Sequence, residues 1–200
     1  MSYVTAVVAP HFVSVVGDKR HTSHDGKFAD DFTKVIRLSE NKVLAFTGHA
    51  DFVKIFLEHF PIGFEYSSEL LINDIKSLVS EGITGLKDNM GGDIKLAITV
   101  TGVSDDKKIF LYSIINNPDS PGEKITELHY ELKRTDSPVF FSMDPDDIEL
   151  NSSQSFHSLM RHNKLKNEKD AVKIQKQLQK MVAQASNSVS FNSDVEIVKI

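Results

Sequence analysis

A chain of 200 residues, 40% of them apolar and 26% charged, has the length of one domain and enough apolar material for a sizeable core. The absence of cysteine excludes disulfides, thiol nucleophiles and thiolate metal sites, and fits a reducing cytoplasm. A net charge of -5 gives no general attraction to nucleic acid or anionic membrane, and MSYVTAVVAPHF has neither the charged start nor the apolar run of a signal peptide or membrane span.

Val4 to Ala9 is apolar and β-branched, Pro10-His11 breaks it, and Phe12 to Val16 resumes, which predicts a strand pair. Arg20 to Asp31 is polar and reads as a loop with room for a short edge strand. Thr33 to Leu38 and Lys42 to Thr47 predict a second strand pair around Ser39-Glu40-Asn41. The period then changes: Ala50, Val53, Phe56, Leu57 and Phe60 recur at helical spacing, ended by Pro61 and Gly63. Ser67-Ser68 is placed to cap a second helix carrying Leu71, Ile75, Leu78, Val79, Ile83 and Leu86. Strands follow at Ile94 to Val103, Lys108 to Ile115, Ile125 to Leu132 and Val139 to Met143; helices at Ser155 to His162 and Glu168 to Ala185; and a last strand at Val195 to Ile200.

Runs of strands separated by runs of helices argue against alternating βα units. Two antiparallel sheets stacked between helix layers absorb the order, an α+β four-layer arrangement. That arrangement explains why Val13, Val15 and Val16 do not alternate cleanly, because strands covered on both faces need apolar residues on both.

The chemistry concentrates early. Asp18 lies sixteen residues after Ser2 and Lys34 sixteen after Asp18, while Gly48 ends the following strand. Initiator methionine is expected to be trimmed before a small residue, which makes Ser2 terminal. Its α-amine, with an ordinary pKa of about 7.7–8.0, is then suited to take the proton of its own hydroxyl. A lysine beside that hydroxyl stabilises developing negative charge, an aspartate keeps the lysine charged and oriented, and a glycine N–H can hold the oxyanion of a tetrahedral intermediate.

Ser2, Asp18, Lys34 and Gly48 resemble in spacing the catalytic residues of proteasome β subunits and the HslV peptidase, which are N-terminal nucleophile (Ntn) hydrolases. The alignment runs without a gap from residue 2 to about residue 51. Gly17-Asp18-Lys19-Arg20 resembles the family's A/G-Asp-x-Arg stretch, Lys34 to Leu38 its Lys-Val-x-x-Leu/Ile strand, and Phe46 to Asp51 its turn before the first long helix. Serine stands first where the family usually has threonine. The family's Gly-Ser-Gly segment is not recognisable, its place taken by Ser142 to Asp146, and its late aspartate is missing, with Ser188 or Ser190 nearest. A rival register, with Thr5 as nucleophile, breaks the spacing to the other three residues together.

The resemblance implies one αββα Ntn domain over residues 1–200 and amide or peptide bond hydrolysis without a cofactor. Ser2 is nucleophile and base, Lys34 activator, Asp18 its partner and Gly48 the oxyanion donor. Arg20 braces Asp18. Thr22 contacts substrate backbone, and His21, Phe46 and Ala50 line the pocket, with Phe46 narrowing it towards smaller side chains. Homo-oligomerisation into a ring or similar body and an ATP-driven unfoldase partner are implied too. The alternatives are a non-catalytic proteasome-like subunit and a stand-alone small-molecule amidase.

Two features lie outside this scheme. His21 and His24 are three apart with no third ligand evident, so no metal is expected. Arg161, Lys164, Lys166, Lys169, Lys173, Lys176 and Lys180 form a basic strip, read as the solvated face of a helix that buries Ala171, Val172, Ile174, Leu178, Met181 and Val182; an acidic partner is its other reading.

Overall fold

The computed structural model describes residues 2–22, 27–48, 50–90, 95–119 and 125–200, with backbone alone at 50–52 and 82–90. In chain order the elements are β1 (Val4–Ala9), β2 (Phe12–Asp18), β3 (His21–Thr22), β4 (Phe28–Ala29), β5 (Val35–Arg37), β6 (Lys42–Thr47), α1 (Ala50–His59) and α2 (Ser68–Met90). There follow β7 (Leu96–Val103), β8 (Ile109–Asn116), β9 (Ile125–Leu132), β10 (Val139–Met143), α3 (Ser152–His162), α4 (Glu168–Ala185) and β11 (Ser193–Lys199).

One sheet has the strand order β10-β1-β2-β11 and the other β5-β6-β7-β8-β9, with β3 and β4 as a separate two-stranded pair. Among the described residues every pairing is antiparallel. Three apolar layers hold the elements together. Val4, Ala6, Val13 and Val15 meet Val43, Ala45 and Leu111 between the sheets. Leu44, Ile98 and Val100 meet Phe56, Leu71 and Ile75 under α1 and α2. Tyr3, Val7 and Phe12 meet Phe156, Ile174 and Leu178 under α3 and α4. The architecture is therefore the αββα sandwich, and β1 and β2 are buried at every position because both faces are covered.

The structure corrects several boundaries. β2 runs on through Gly17 to Asp18 because β11 pairs with it that far, Ser193 against Asp18. The polar segment after Arg20 carries the short strands β3 and β4, paired antiparallel. α3 starts at Ser152, three residues early, because the Asn151 side chain accepts from the Gln154 N–H and caps it. α2 is capped from afar: Asp105, in the β7–β8 turn, accepts from the Ser68 N–H and from Ser67 Oγ. On α4, Gln175 and Gln179 are buried where Val172 and Met181 were expected, both of which stay half-buried. Gln175 Nε2 donates to the carbonyls of Thr5 and Ser14, and its Oε1 accepts from Ser14 Oγ at 2.6 Å, so the helix is keyed to the sheet by hydrogen bonds. No helix among the described residues is long and apolar enough to cross a membrane.

Candidate active site

Asp18 closes β2 opposite the entry to β1. Its main-chain N–H donates to Tyr3 O at 3.0 Å, extending the β1–β2 ladder beyond Val4↔Gly17. Gly17 is required by a close approach: a Cβ there would lie 2.7 Å from Val35 Cγ2 and 3.5 Å from Lys34 Cβ. Its missing side chain admits the chain that carries Lys34.

The Asp18 carboxylate is fully buried and takes four donors. Oδ1 accepts from the Tyr3 N–H and from Lys34 Nζ, each at 2.7 Å. Oδ2 accepts from the Arg20 N–H at 2.8 Å and the Ser190 N–H at 3.2 Å. The side chains of Lys34 and Asp18 are 1% and 0% exposed. Burial pushes the Lys34 ammonium below its ordinary pKa against the attraction of Asp18, which opposes the shift.

Ser2 is partly exposed and bonded to the residue whose N–H sits on Asp18. The peptide from Ser2 to Tyr3 thus lies on the oxygen that holds the buried ammonium. Tyr3 anchors that peptide: its ring is 1% exposed in the layer under α3 and α4, and its hydroxyl donates to Ser152 Oγ at 3.3 Å. Thr5 is fully buried inside β1, its hydroxyl donating to Val16 O at 3.4 Å. Met1, and with it the expected trimming, lies outside the described residues.

Arg20 donates twice to Asp30, at 2.7 and 2.9 Å, and once to Asn187 O at 2.9 Å. Arg20 is the main cause that holds the Asp30 carboxyl below its ordinary range, with a hydrogen bond from Ser190 adding to it. Ser190 therefore touches both carboxylates. Tyr3 and Asp30 were not singled out in the sequence: Tyr3 lies just ahead of the apolar run read as the first strand, and nothing local marked Asp30.

Gly48 is exposed and follows β6 two residues after Phe46, whose N–H donates to Lys34 O at 3.1 Å. Its φ is +116° and a Cβ would lie 2.6 Å from Lys95 O, so glycine alone fits. Lys95 in turn pairs with Asp146, tying the Asp144 to Asp147 turn to this edge.

Thr22 is exposed on β3. The His21 ring lies 5.4 Å from Phe32, and Phe32 meets Phe46 edge-on at 5.9 Å. Phe46 itself is 4% exposed, in the layer facing α1. The hollow it shares with Leu44, Val53, Phe56 and Ile98 is about 10 Å³, room for one water at most. Ala50 opens α1, its side chain outside the description, as are His24 and His49. Among the described residues no three His, Asp or Glu side chains gather to hold a metal ion.

No family model and no curated protein matches the chain. Solved structures do. Anbu (ancestral β-subunit) from Yersinia bercovieri superposes with a TM-score of 0.66 at 15% identity, over 98% of this chain and 80% of that one. Eukaryotic HslV from Trypanosoma brucei gives 0.57 at 13% identity, over 99% of both chains. Anbu from Pseudomonas aeruginosa, solved as a helical assembly, gives 0.65 at 16% identity, over 98% and 81%. The fold is that of the proteasome-like N-terminal nucleophile hydrolases, and at these identities the likeness is one of fold.

Proposed function

We propose that this chain is an N-terminal serine hydrolase of amide bonds, peptides foremost, acting through Ser2 once Met1 is removed. The observation that carries the reading is the shared acceptor: Asp18 Oδ1 binds both the Tyr3 N–H and Lys34 Nζ, which sets the Ser2 end of the chain beside a buried cation.

In this reading Ser2 Oγ attacks the substrate carbonyl carbon and its proton passes to the Ser2 α-amine. The oxyanion accepts from the Gly48 N–H. The C–N bond then breaks, the leaving nitrogen takes the proton, and an ester remains on Ser2. Water adds to the ester, giving a proton to the amine, and Ser2 Oγ leaves with that proton. Lys34 favours the negative charge on Oγ and lowers the pKa of the amine. Asp18 keeps Lys34 charged and aimed. Thr22, His21 and Ala50 form the substrate side, with the buried Phe46 as its floor, favouring small residues before the cleaved bond.

The proposal extends to one such domain over residues 1–200, to a cytoplasmic protein, to a homo-oligomer and to an ATP-driven unfoldase partner. Self-association draws support from the helical assembly of Pseudomonas aeruginosa Anbu.

The test is labelling with a peptide epoxyketone, which needs both the hydroxyl and the α-amine of one terminal residue, followed by intact-mass measurement. Wild type is expected to lack Met1 and to take one adduct on Ser2, and Ser2→Ala and Lys34→Ala to take none. A retained Met1, or labelling that survives both substitutions, overturns the proposal; the first result leaves the non-catalytic subunit.

A further inference from the structure

At the other end of the sandwich lies a feature the hydrolase reading does not use. β11 begins at Ser193 beside Asp18 and ends at Lys199 beside Phe12, about 20 Å further along at strand rise. There the β1–β2 turn, the β7–β8 turn and the end of β9 enclose a cleft of about 570 Å³. Lys107, Lys108, Lys133, Arg134 and His11 line it, with Asp106 as the opposing carboxylate, and Pro10, Leu132 and Ile200 supply apolar surface.

Lys108 is occupied by Glu131 at 2.9 Å and lies 3.7 Å from Asp106. The nearby Asp136 accepts from the Lys133 main-chain N–H at 2.7 Å. Among the described residues the side chains of Lys107, Lys133 and Arg134 form no ion pair, and all three residues are exposed. Three unpaired cations thus converge on a concave site in a chain whose net charge is -5. Lys107 adds a second observation. Its φ is +58°, the left-handed region, in a turn position where glycine is favoured.

We propose that this cleft docks an acidic segment of a partner polypeptide that also carries apolar side chains. The cations face the carboxylates, and Leu132, Pro10 and Ile200 receive the apolar groups; the volume is that of an ordinary ligand pocket. A nucleic acid fits less well. The cleft has no aromatic ring on which bases stack apart from His11, and the acidic remainder of the molecule repels a long polyanion. The basic strip of α4 is the weaker alternative on the same molecule: it is exposed, Glu168 and Asp170 interrupt it, and Glu168 pairs with Lys199.

The experiment is fluorescence anisotropy with a dye-labelled peptide of alternating glutamate and leucine. A glutamine–leucine peptide and a thymidine oligonucleotide carry the same dye. The full chain is expected to bind the acidic peptide, weakening with salt, and to ignore the glutamine version. Lys107→Gly, which relieves the left-handed turn and so keeps or raises the melting temperature, is expected to weaken binding about threefold. Lys133→Glu with Arg134→Glu is expected to weaken it about tenfold or more. Lys176→Glu with Lys180→Glu on α4 is expected to change nothing. Undiminished binding in the cleft variants, an equal loss in the α4 variant, no binding by wild type, or tighter binding of the oligonucleotide each overturns the proposal. None of these outcomes depends on Ser2, so the proposal stands or falls apart from the hydrolase reading.

Discussion

The Tyr3 main-chain N–H and the Lys34 ammonium meet on one atom, Asp18 Oδ1, each at 2.7 Å. Two strands from different sheets are thereby joined at the edge of the interior by a single oxygen. Tyr3 stands just ahead of β1 and Asp18 ends β2, while Lys34 arrives just ahead of β5 in the facing sheet. Whatever acts at the start of the chain is held relative to the ammonium by this atom and by the Tyr3 ring.

The Tyr3 ring should matter more than its hydroxyl. Tyr3→Ala empties a site beside Phe156 and Ile174 and is expected to cost about 3–5 kcal/mol in urea unfolding. Tyr3→Phe removes only the 3.3 Å contact to Ser152 and is expected to cost about 0.5–1.5 kcal/mol, with epoxyketone labelling intact. If Tyr3→Phe abolished labelling while remaining folded, the anchoring role assigned to the ring would be wrong.

Asp18 and Lys34 should not be equivalent. Asp18→Ala strands a buried ammonium together with the N–H groups of Tyr3, Arg20 and Ser190, and is expected to cost about 3–5 kcal/mol. Lys34→Met leaves the carboxylate with its three main-chain donors and is expected to cost less, about 1–3 kcal/mol. Equal losses in denaturant titrations would contradict this account of who supports whom.

The lowered pKa of Lys34 fixes a sign. Between its native pKa and the unfolded value of 10.5, the unfolded chain holds the proton that the native chain has released, so this residue's contribution to stability rises with pH. The stability of wild type relative to Lys34→Met is therefore expected to improve as pH climbs towards 10.5 and to be flat at lower pH. Under the hydrolase proposal, labelling declines as pH falls through the Ser2 amine's pKa, below its ordinary value of about 7.7–8.0. Lys34→Arg, where it still labels, should keep that limb low, and Lys34→Met should move any residual labelling to higher pH.

The layer order was legible because it rests on periodicity. The change from strand runs to Val53, Phe56 and Phe60 at helical spacing marks where sheet gives way to helix, and those residues do pack beneath the five-stranded sheet. The juxtaposition of Asp18 and Lys34 was reachable only through the family-like spacing, since nothing local says that two strands of different sheets meet there. What escaped was polar and long-range. Asp105 caps a helix 37 residues upstream, and Gln175 takes a core position by bonding Ser14 161 residues away. Amphipathic patterns count apolar residues on a face and are blind to a glutamine whose partners lie on another element.

Gly48 and Gly63 separate two costs that usually come together. Both have positive φ, +116° and +95°, so alanine at either is strained by about 1 kcal/mol. At Gly63 a Cβ meets nothing within 4 Å, and that strain is the whole expected loss. At Gly48 it would lie 2.6 Å from Lys95 O and 2.9 Å from Leu96 Cα, both backbone atoms of the chain entering β7, so no side chain can swing aside. Gly48→Ala must push β6 from β7 at that end and is expected to cost about 2–4 kcal/mol. The displaced main chain is also the one that carries the proposed oxyanion donor, so labelling should fall far more than the melting temperature suggests, and Gly63→Ala should label like wild type. A Gly48→Ala protein as stable as Gly63→Ala, labelling at the wild-type rate, would show that β6 and β7 do not clamp this glycine and that its N–H is not held for chemistry.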